Sequence, residues 1–283
     1  MSDPSPARRL SGILKAVESF LIRRSSIGLV EEHYIVTSAL SEESTAVDLG
    51  ANLGRFSSEL AERFSCACVA LEPAPENAAR IPEHPRVQVV QGAIAPRSGT
   101  GELRLAADCT ANRLTLADPA DAPSGDAACI TVALFDYPSL LQAAGVRRVD
   151  LLKVDVEGAE WDFFDSLTDL DLLSIGQITV EFHDFIEELG EARRTWQVYQ
   201  RLLGLGFRCV EDPATGSYNV LFVHPALEMS FHDRLLIAAV STLQRCAWKL
   251  DRVRRTLLSS PIPGKPPLGI TSGTSATPEV NAP

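Results

Sequence analysis

Thr45-Ala46-Val47-Asp48-Leu49-Gly50-Ala51-Asn52-Leu53-Gly54 carries an apolar strand into a Gly-x-Asn-x-Gly turn, after which the pattern predicts a helix. Gly50 and Gly54 can take backbone angles closed to other residues and project no side chain, so a bulky ligand can lie against bare backbone. Asp48, where the strand ends, offers a carboxylate to hydrogen-bond donors. The dinucleotide fingerprint Gly-x-Gly-x-x-Gly places glycine where a pyrophosphate needs room, and this chain has Asn52 and Arg55 there. A nucleoside cofactor without a pyrophosphate, such as S-adenosylmethionine (AdoMet), therefore fits better than NAD or FAD.

Outward from this turn, short apolar runs alternate with helix-like segments, the pattern of a parallel doubly wound sheet. Strands are expected at Thr45–Leu49, Cys68–Glu72, Val87–Gln91, Asp150–Asp155 and Gln177–His183, with extra strands at Gly101–Leu105 and Cys129–Leu134. A helix from Arg193 to Leu203 precedes Phe207–Val210 and Asn219–Val223, which read as a closing hairpin. Ahead of the turn, Leu10, Ile13, Leu14, Val17 and Leu21 recur at helical spacing and predict an amphipathic helix that covers the sheet or a partner. Behind the hairpin, Leu236, Val240, Leu243, Ala247 and Leu250 form one apolar stripe of a long helix whose far end is basic. That helix suits packing on the domain or on a second subunit, or weak contact with an anionic membrane surface. From Ser259 onward Pro, Ser, Thr and Gly dominate, the composition of a disordered tail.

Composition narrows the function. A chain of 283 residues, 45% hydrophobic, can build one sizeable α/β core, and a formal charge of −11 argues against a broad nucleic-acid surface. The six cysteines show no Cys-x-x-Cys pairing and several lie in apolar runs, as expected for reduced, buried thiols. Cys66 and Cys68 share a strand face but lack ligand partners in sequence. The Ala16–Ile22 stretch is too interrupted for a secretory signal and no run reaches transmembrane length, so a cytoplasmic protein is expected.

In an open parallel sheet, ligands bind beyond the carboxyl ends of the strands. The second strand ends in Glu72, placed to hold the ribose hydroxyls of a nucleoside cofactor. The third ends in Gln91-Gly92-Ala93-Ile94, a small-residue turn suited to lie against adenine at Ala93. The fourth gives Leu151-Leu152-Lys153-Val154-Asp155-Val156-Glu157-Gly158-Ala159-Glu160, whose buried carboxylates need a stabilising partner: Lys153, a sulfonium or a metal ion. Glu160 equally suits the positive end of the following helix. The fifth ends in Val180-Glu181-Phe182-His183-Asp184, with Glu181 and His183 on one face. The histidines at 33, 84, 224 and 232 have no comparable setting.

These segments resemble the FkbM-type methyltransferases of the AdoMet-dependent class, through Val47–Gly54, Leu71-Glu72-Pro73, Asp150–Glu160 and Val180–His183. The glycine turn marks any class I methyltransferase, whereas Leu-Lys-x-Asp-x-Glu-Gly-Ala-Glu is far more specific. The resemblance implies a class I methyltransferase fold, a Rossmann-like doubly wound sheet, mostly parallel with an antiparallel closing strand. It implies O-methylation of a hydroxyl of a sugar, polyketide or related small molecule or glycan. AdoMet would be held by Asp48, Gly50, Ala51, Asn52, Gly54, Glu72 and Ala93, with the acceptor near the catalytic residues Asp155, Glu157 and His183. His183 or Glu157 would be the general base; a divalent cation on Asp155, Glu157 or Glu181 is the alternative, and the metal-free route is expected. Two departures are on the acceptor side. Leu134-Phe135-Asp136-Tyr137 keeps one acid of the family's Leu-Asp-Asp-Leu element, and the Arg-Gly after Glu-Gly-Ala-Glu is missing. The expected organisation is an N-terminal helical extension over 1–40, a methyltransferase domain over 41–227, an amphipathic helix over 228–258 and a tail over 259–283. A noncatalytic AdoMet-binding or scaffold protein on the same fold is the alternative reading.

Overall fold

A computed structural model describes residues 6–104, 113–115, 129–183, 192–212 and 216–258. The chain divides into a unit of residues 1–244 and a second of residues 245–283. The described part of the second is the end of a helix that runs to Leu258, and the expected tail lies outside the described residues.

In chain order the elements are α1 (Pro6–Arg24), β1 (Ile27–Val30), β2 (His33–Val36), β3 (Thr45–Leu49), α2 (Arg55–Phe64), β4 (Ala67–Glu72), α3 (Pro75–Ala78) and β5 (Val87–Gln91). β6 (Ala93–Ile94), β7 (Gly99–Arg104), β8 (Arg113–Thr115), β9 (Cys129–Phe135), α4 (Tyr137–Ala144), β10 (Val149–Val154) and α5 (Glu160–Ser166) follow. The chain continues through α6 (Asp169–Leu173), β11 (Ile175–Glu181), α7 (Ala192–Gly204), β12 (Arg208–Asp212), β13 (Gly216–Val223) and α8 (Phe231–Leu258).

The main sheet has seven strands in the order β5-β4-β3-β10-β11-β13-β12, with β13 antiparallel to both neighbours and the first five strands parallel. This is the doubly wound α/β layout expected, and the closing hairpin folds back so that its second strand lies inside its first. Strand order reverses between β3 and β10, the place where such sheets open a ligand crevice. Every residue of β10 is buried, as a central parallel strand covered on both faces requires. Full burial of Leu151, Leu152 or Val154 contributes about 1.5–3 kcal/mol each. The two extra strands join β6 and β8 in a second sheet, ordered β6-β9-β7-β8.

The N-terminal extension is not helical throughout. After α1 the chain forms the β1–β2 hairpin, which docks on one face of β11. Side chains alternate along a strand, so Gln177, Thr179 and Glu181 share that face. The Gln177 amide accepts from Val36 N at 2.7 Å and donates to Val36 O at 3.3 Å, and His33 Nδ1 lies 3.3 Å from Thr179 Oγ1. α1 meets the core through Leu21 and Ile22, whereas Ile13 and Val17 of the expected stripe are exposed, because only its last turns reach the sheet.

α8 also departs from its expected stripe. Its buried positions up to residue 244 are Asp233, Ile237, Val240, Ser241 and Gln244. Polar side chains on that face serve the outermost strand: Cys209 N donates to Ser241 Oγ and Glu211 N to Gln244 Oε1, each at 3.1 Å. Gln244 Nε2 returns a bond to Glu211 O, so the helix satisfies backbone groups that an open edge would expose. Within the first unit α8 thus packs on the domain. Cys66, Cys68, Cys129, Cys209 and Cys246 are free thiols, and no described helix is long and apolar enough to cross a membrane.

Burial, with Lys153 adding to it, pushes the His33 imidazole down to about 3, so it is neutral in the folded chain. The unfolded chain takes up a proton below about pH 6.5 that the folded chain refuses, so His33 lowers stability progressively as pH falls from there towards about 3. The melting midpoint of His33→Phe should fall less steeply than that of the parent between pH 6.5 and 4. Parallel slopes in calorimetric scans would refute this.

Candidate active site

Backbone bonds draw the strand ends at the order reversal together. Gly50 N and Ala51 N both donate to Leu71 O at 3.0 Å, and Asp155 N donates to Leu49 O at 3.1 Å. Gly50 has φ +79, and a Cβ there would stand 1.8 Å from the Asp155 carbonyl oxygen. Only glycine lets the turn after β3 lie so close to the end of β10. Asn52 also takes a left-handed conformation, φ +50, which turns its N–H onto Glu72 Oε2 at 2.8 Å.

The resulting cleft opens where the sheet's strand order reverses, the place at which such folds bind ligands. Gly50, Asn52, Glu72 and Ala93 line it, with Asp155 and Glu157 at one side. A second opening shares Gly50, Asn52, Asn77 and Asp155 and adds Ala51, His33, Lys153 and Glu181. Glu72 is 5% exposed; burial raises its carboxyl's pKa, while N–H groups of Ala74 and Asn52 hold it in place from 2.9 and 2.8 Å. Leu103 of the second sheet joins Ala93 in a small apolar wall.

Two expected cofactor residues do not line either opening. Asp48 is fully buried under the turn: its Oδ2 accepts from the Ser57 hydroxyl at 2.8 Å, and Oδ1 has the Lys153 ammonium 3.2 Å away. It holds the turn from below. Gly54 is the N-cap of α2 at φ +72, where a Cβ would strike Ile81 at 2.5 Å, so it serves helix packing.

Asp155, Glu157 and His183 do come together. His183 Nε2 is 3.3 Å from Glu157 Oε2 and 3.9 Å from Asp155 Oδ1. Its Nδ1 faces Glu160 Oε1 at 2.8 Å. Glu160 is fully buried, and the same oxygen accepts from Val156 N and Gly158 N, so it both caps the turn and orients the imidazole. Glu157 holds a left-handed φ of +52, uncommon strain for a non-glycine residue and a frequent mark of functional sites. Burial alone would lower the His183 pKa, but Glu160, Glu157 and Asp155 override it and push it up to about 9. The carboxylates around it thus favour the protonated, donating form of the ring, which shifts the weight of the two expected candidate bases towards Glu157.

Lys153 links the two regions. Its Nζ lies 3.2 Å from Asp155 Oδ2 and donates to Gly50 O at 3.0 Å. Burial alone would lower this ammonium's pKa, yet Asp48 and Asp155 hold it above its ordinary value. Asp155 is correspondingly held low: burial opposes ionisation, and the nearby charges, Lys153 foremost and then His183, outweigh it.

Sequence reasoning set His33 aside, yet its ring forms part of the cleft wall beside Asp155 and Glu181. No local motif marks it, because a hairpin brings it from far along the chain. Glu181 is pushed up to about 7, by burial and then by Asp155. The single acid kept in the Leu134–Tyr137 element, Asp136, caps α4 by accepting from Ser139 N at 2.9 Å and is not in the cluster.

Residues 48–209 match the model of the methyltransferase FkbM domain. No curated protein matches the chain. Among solved structures, precorrin-6y C5,15-methyltransferase from Geobacter metallireducens is 12% identical, over 74% of this chain and 85% of that one, with a TM-score of 0.35. Fibrillarin from Aeropyrum pernix, with natively bound S-adenosyl-L-methionine, is 11% identical over 74% and 75%, TM-score 0.38. The O-methyltransferase from Bacillus cereus in complex with SAH is 13% identical over 78% and 82%, TM-score 0.35.

The contact between Gly50 and the Asp155 carbonyl has a measurable consequence. Gly145 has a similar φ of +69 but open space where a Cβ would go. Both alanine variants incur about 1–3 kcal/mol from the backbone angle. Only Gly50→Ala adds a backbone clash, so urea denaturation should show the larger loss there. Equal losses would contradict this account of the turn.

Proposed function

The chain belongs to the FkbM methyltransferase family and is an AdoMet-dependent methyltransferase; on that premise we propose that it methylates a hydroxyl of a sugar, polyketide or related small molecule or glycan. The observation that supports this reading is the grouping of Asp155, Glu157 and His183 at the edge of the glycine-lined cleft.

The residues around the cleft fit the cofactor. Gly50, Asn52 and Ala93 line the cleft, and Glu72 presents a buried, pre-oriented carboxylate. In this proposal Gly50, Ala51 and Asn52 support the cofactor, Glu72 takes its ribose hydroxyls, and Ala93 lies against adenine. When bound, AdoMet supplies an electrophilic methyl group. An in-line displacement requires the acceptor oxygen about 3 Å from the methyl carbon, so positioning is the main task of the opposite side. Glu157 takes the acceptor hydroxyl's proton as its oxygen bonds the methyl carbon, Asp155 helps to orient the acceptor, and His183 Nε2, biased towards its protonated form by the carboxylates around it, stabilises negative charge that develops on the oxygen. Asp48 and Gly54 contribute indirectly, by holding the turn and α2.

Calorimetric titration of purified protein with AdoMet should give binding heat, and Glu72→Ala should weaken affinity about tenfold or more, the scale of a charge-assisted hydrogen bond. Incubation with methyl-labelled AdoMet and a panel of sugars and polyketides should place label in a methyl ether. Binding without transfer to any acceptor would favour the noncatalytic reading, and label on nitrogen would sink O-methylation.

A further inference from the structure

We propose that Asp155, Glu157 and His183 form a site for one divalent cation of the Mn²⁺ type, and that the cation selects acceptors presenting two neighbouring oxygens, such as a vicinal diol. This rests on the reading that the acceptor lies at this edge of the cleft; on binding, the cation displaces the Nε2 proton of His183 and takes over the charge-stabilising role assigned to that nitrogen above.

The argument is geometric. Metal–ligand bonds of about 2.1 Å at angles near 90–110° put neighbouring ligand atoms about 3.0–3.4 Å apart. His183 Nε2 stands 3.3 Å from Glu157 Oε2 and 3.9 Å from Asp155 Oδ1, and one ligand atom from each residue falls within a mutual span of 4.8 Å. A small closure makes one face of a coordination shell. The imidazole is also prepared as metal-binding histidines are: its other nitrogen, Nδ1, bonds at 2.8 Å to the fully buried Glu160, an outer carboxylate that fixes ring orientation. Asp155 divides its oxygens, giving Oδ2 to Lys153 and turning Oδ1 towards His183. Glu157, held in the left-handed region, completes the set.

One nitrogen and two carboxylate oxygens suit Mn²⁺ better than the all-oxygen shells preferred by Mg²⁺ or Ca²⁺. Three protein ligands leave positions for two acceptor oxygens, which the ion would orient and polarise. A second cluster, His33 with Asp155 and Glu181, has similar spacing. The Lys153 ammonium acts on His33 and opposes a second cation there, and His33 Nδ1 is paired with a hydroxyl instead of a carboxylate.

The test uses full-length, chelator-treated protein without AdoMet or acceptor, titrated with Mn²⁺ while the free-ion electron paramagnetic resonance signal is followed. One ion per chain should bind. Glu157→Gln and Glu160→Gln should each weaken it about tenfold or more, with melting curves confirming that both variants are folded, while Glu181→Gln should retain binding. Absence of Mn²⁺ binding, or equal affinity in parent and Glu157→Gln, overturns the proposal; loss in Glu181→Gln alone does so too, by moving the ion to the other cluster. AdoMet heat measured on the same samples separates the two readings. Heat without Mn²⁺ binding defeats only the cation site, and Mn²⁺ binding without heat defeats only the cofactor assignment.

Discussion

The ammonium of Lys153 is the interaction on which the site depends. A cation taken out of water into a sheet's interior costs several kcal/mol unless partners compensate. Here Asp48, Asp155 and the Gly50 carbonyl surround it, so one charge ties together the end of β3, the glycine turn and the end of β10. Loss of the lysine would strand the carboxylates of Asp48 and Asp155, and leaving a buried charge unpaired typically costs about 3–5 kcal/mol. Two strands could be paired by backbone bonds alone. What the lysine adds is a fixed relation between Asp48 beneath the glycine turn and the Asp155 carboxylate at the edge of the cleft.

Around that bridge the two sides of the cleft are built by different means. On one side, small residues and Glu72 come from strand ends and from the second sheet, which delivers Ala93 and Leu103. On the other, polar side chains are set by local turns: Glu160 gathers two backbone N–H groups and the His183 ring, and Glu157 is held at a strained angle beside it. The division follows from chemistry. A cofactor needs shape and a few fixed bonds, whereas reacting groups need orientation to a few tenths of an ångström.

Most of the sheet could be read from sequence because its central strands are continuous apolar runs ended by glycine or acid, and the order reversal follows from that alternation. Part of the cleft's lining was legible where it sits in a local motif, as at Gly50, Glu72, Asp155 and Glu157. Asp48 and Gly54 lie off the cleft's lining because a motif marks a turn without saying which of its residues face outward; Asp48 looks down at Lys153 and Gly54 at Ile81. His33 was invisible, since its setting is created by a tertiary contact. The apolar stripe of α8 misled for another reason: the face that packs carries Ser241 and Gln244, because an edge strand's unpaired amides reward polar partners.

The docking of the β1–β2 hairpin bears on how the molecule comes to be. Its bonds to β11 span 141 and 146 residues of chain, so they close large loops before any gain is returned. During synthesis the hairpin leaves the ribosome early and must wait for Gln177 and Thr179. Until then His33 has no hydroxyl to meet and the wall of the cleft stays open. The β3–β4 pairing beside the glycine turn closes a far shorter loop, so the His33 side of the cleft carries the larger entropic cost of closure.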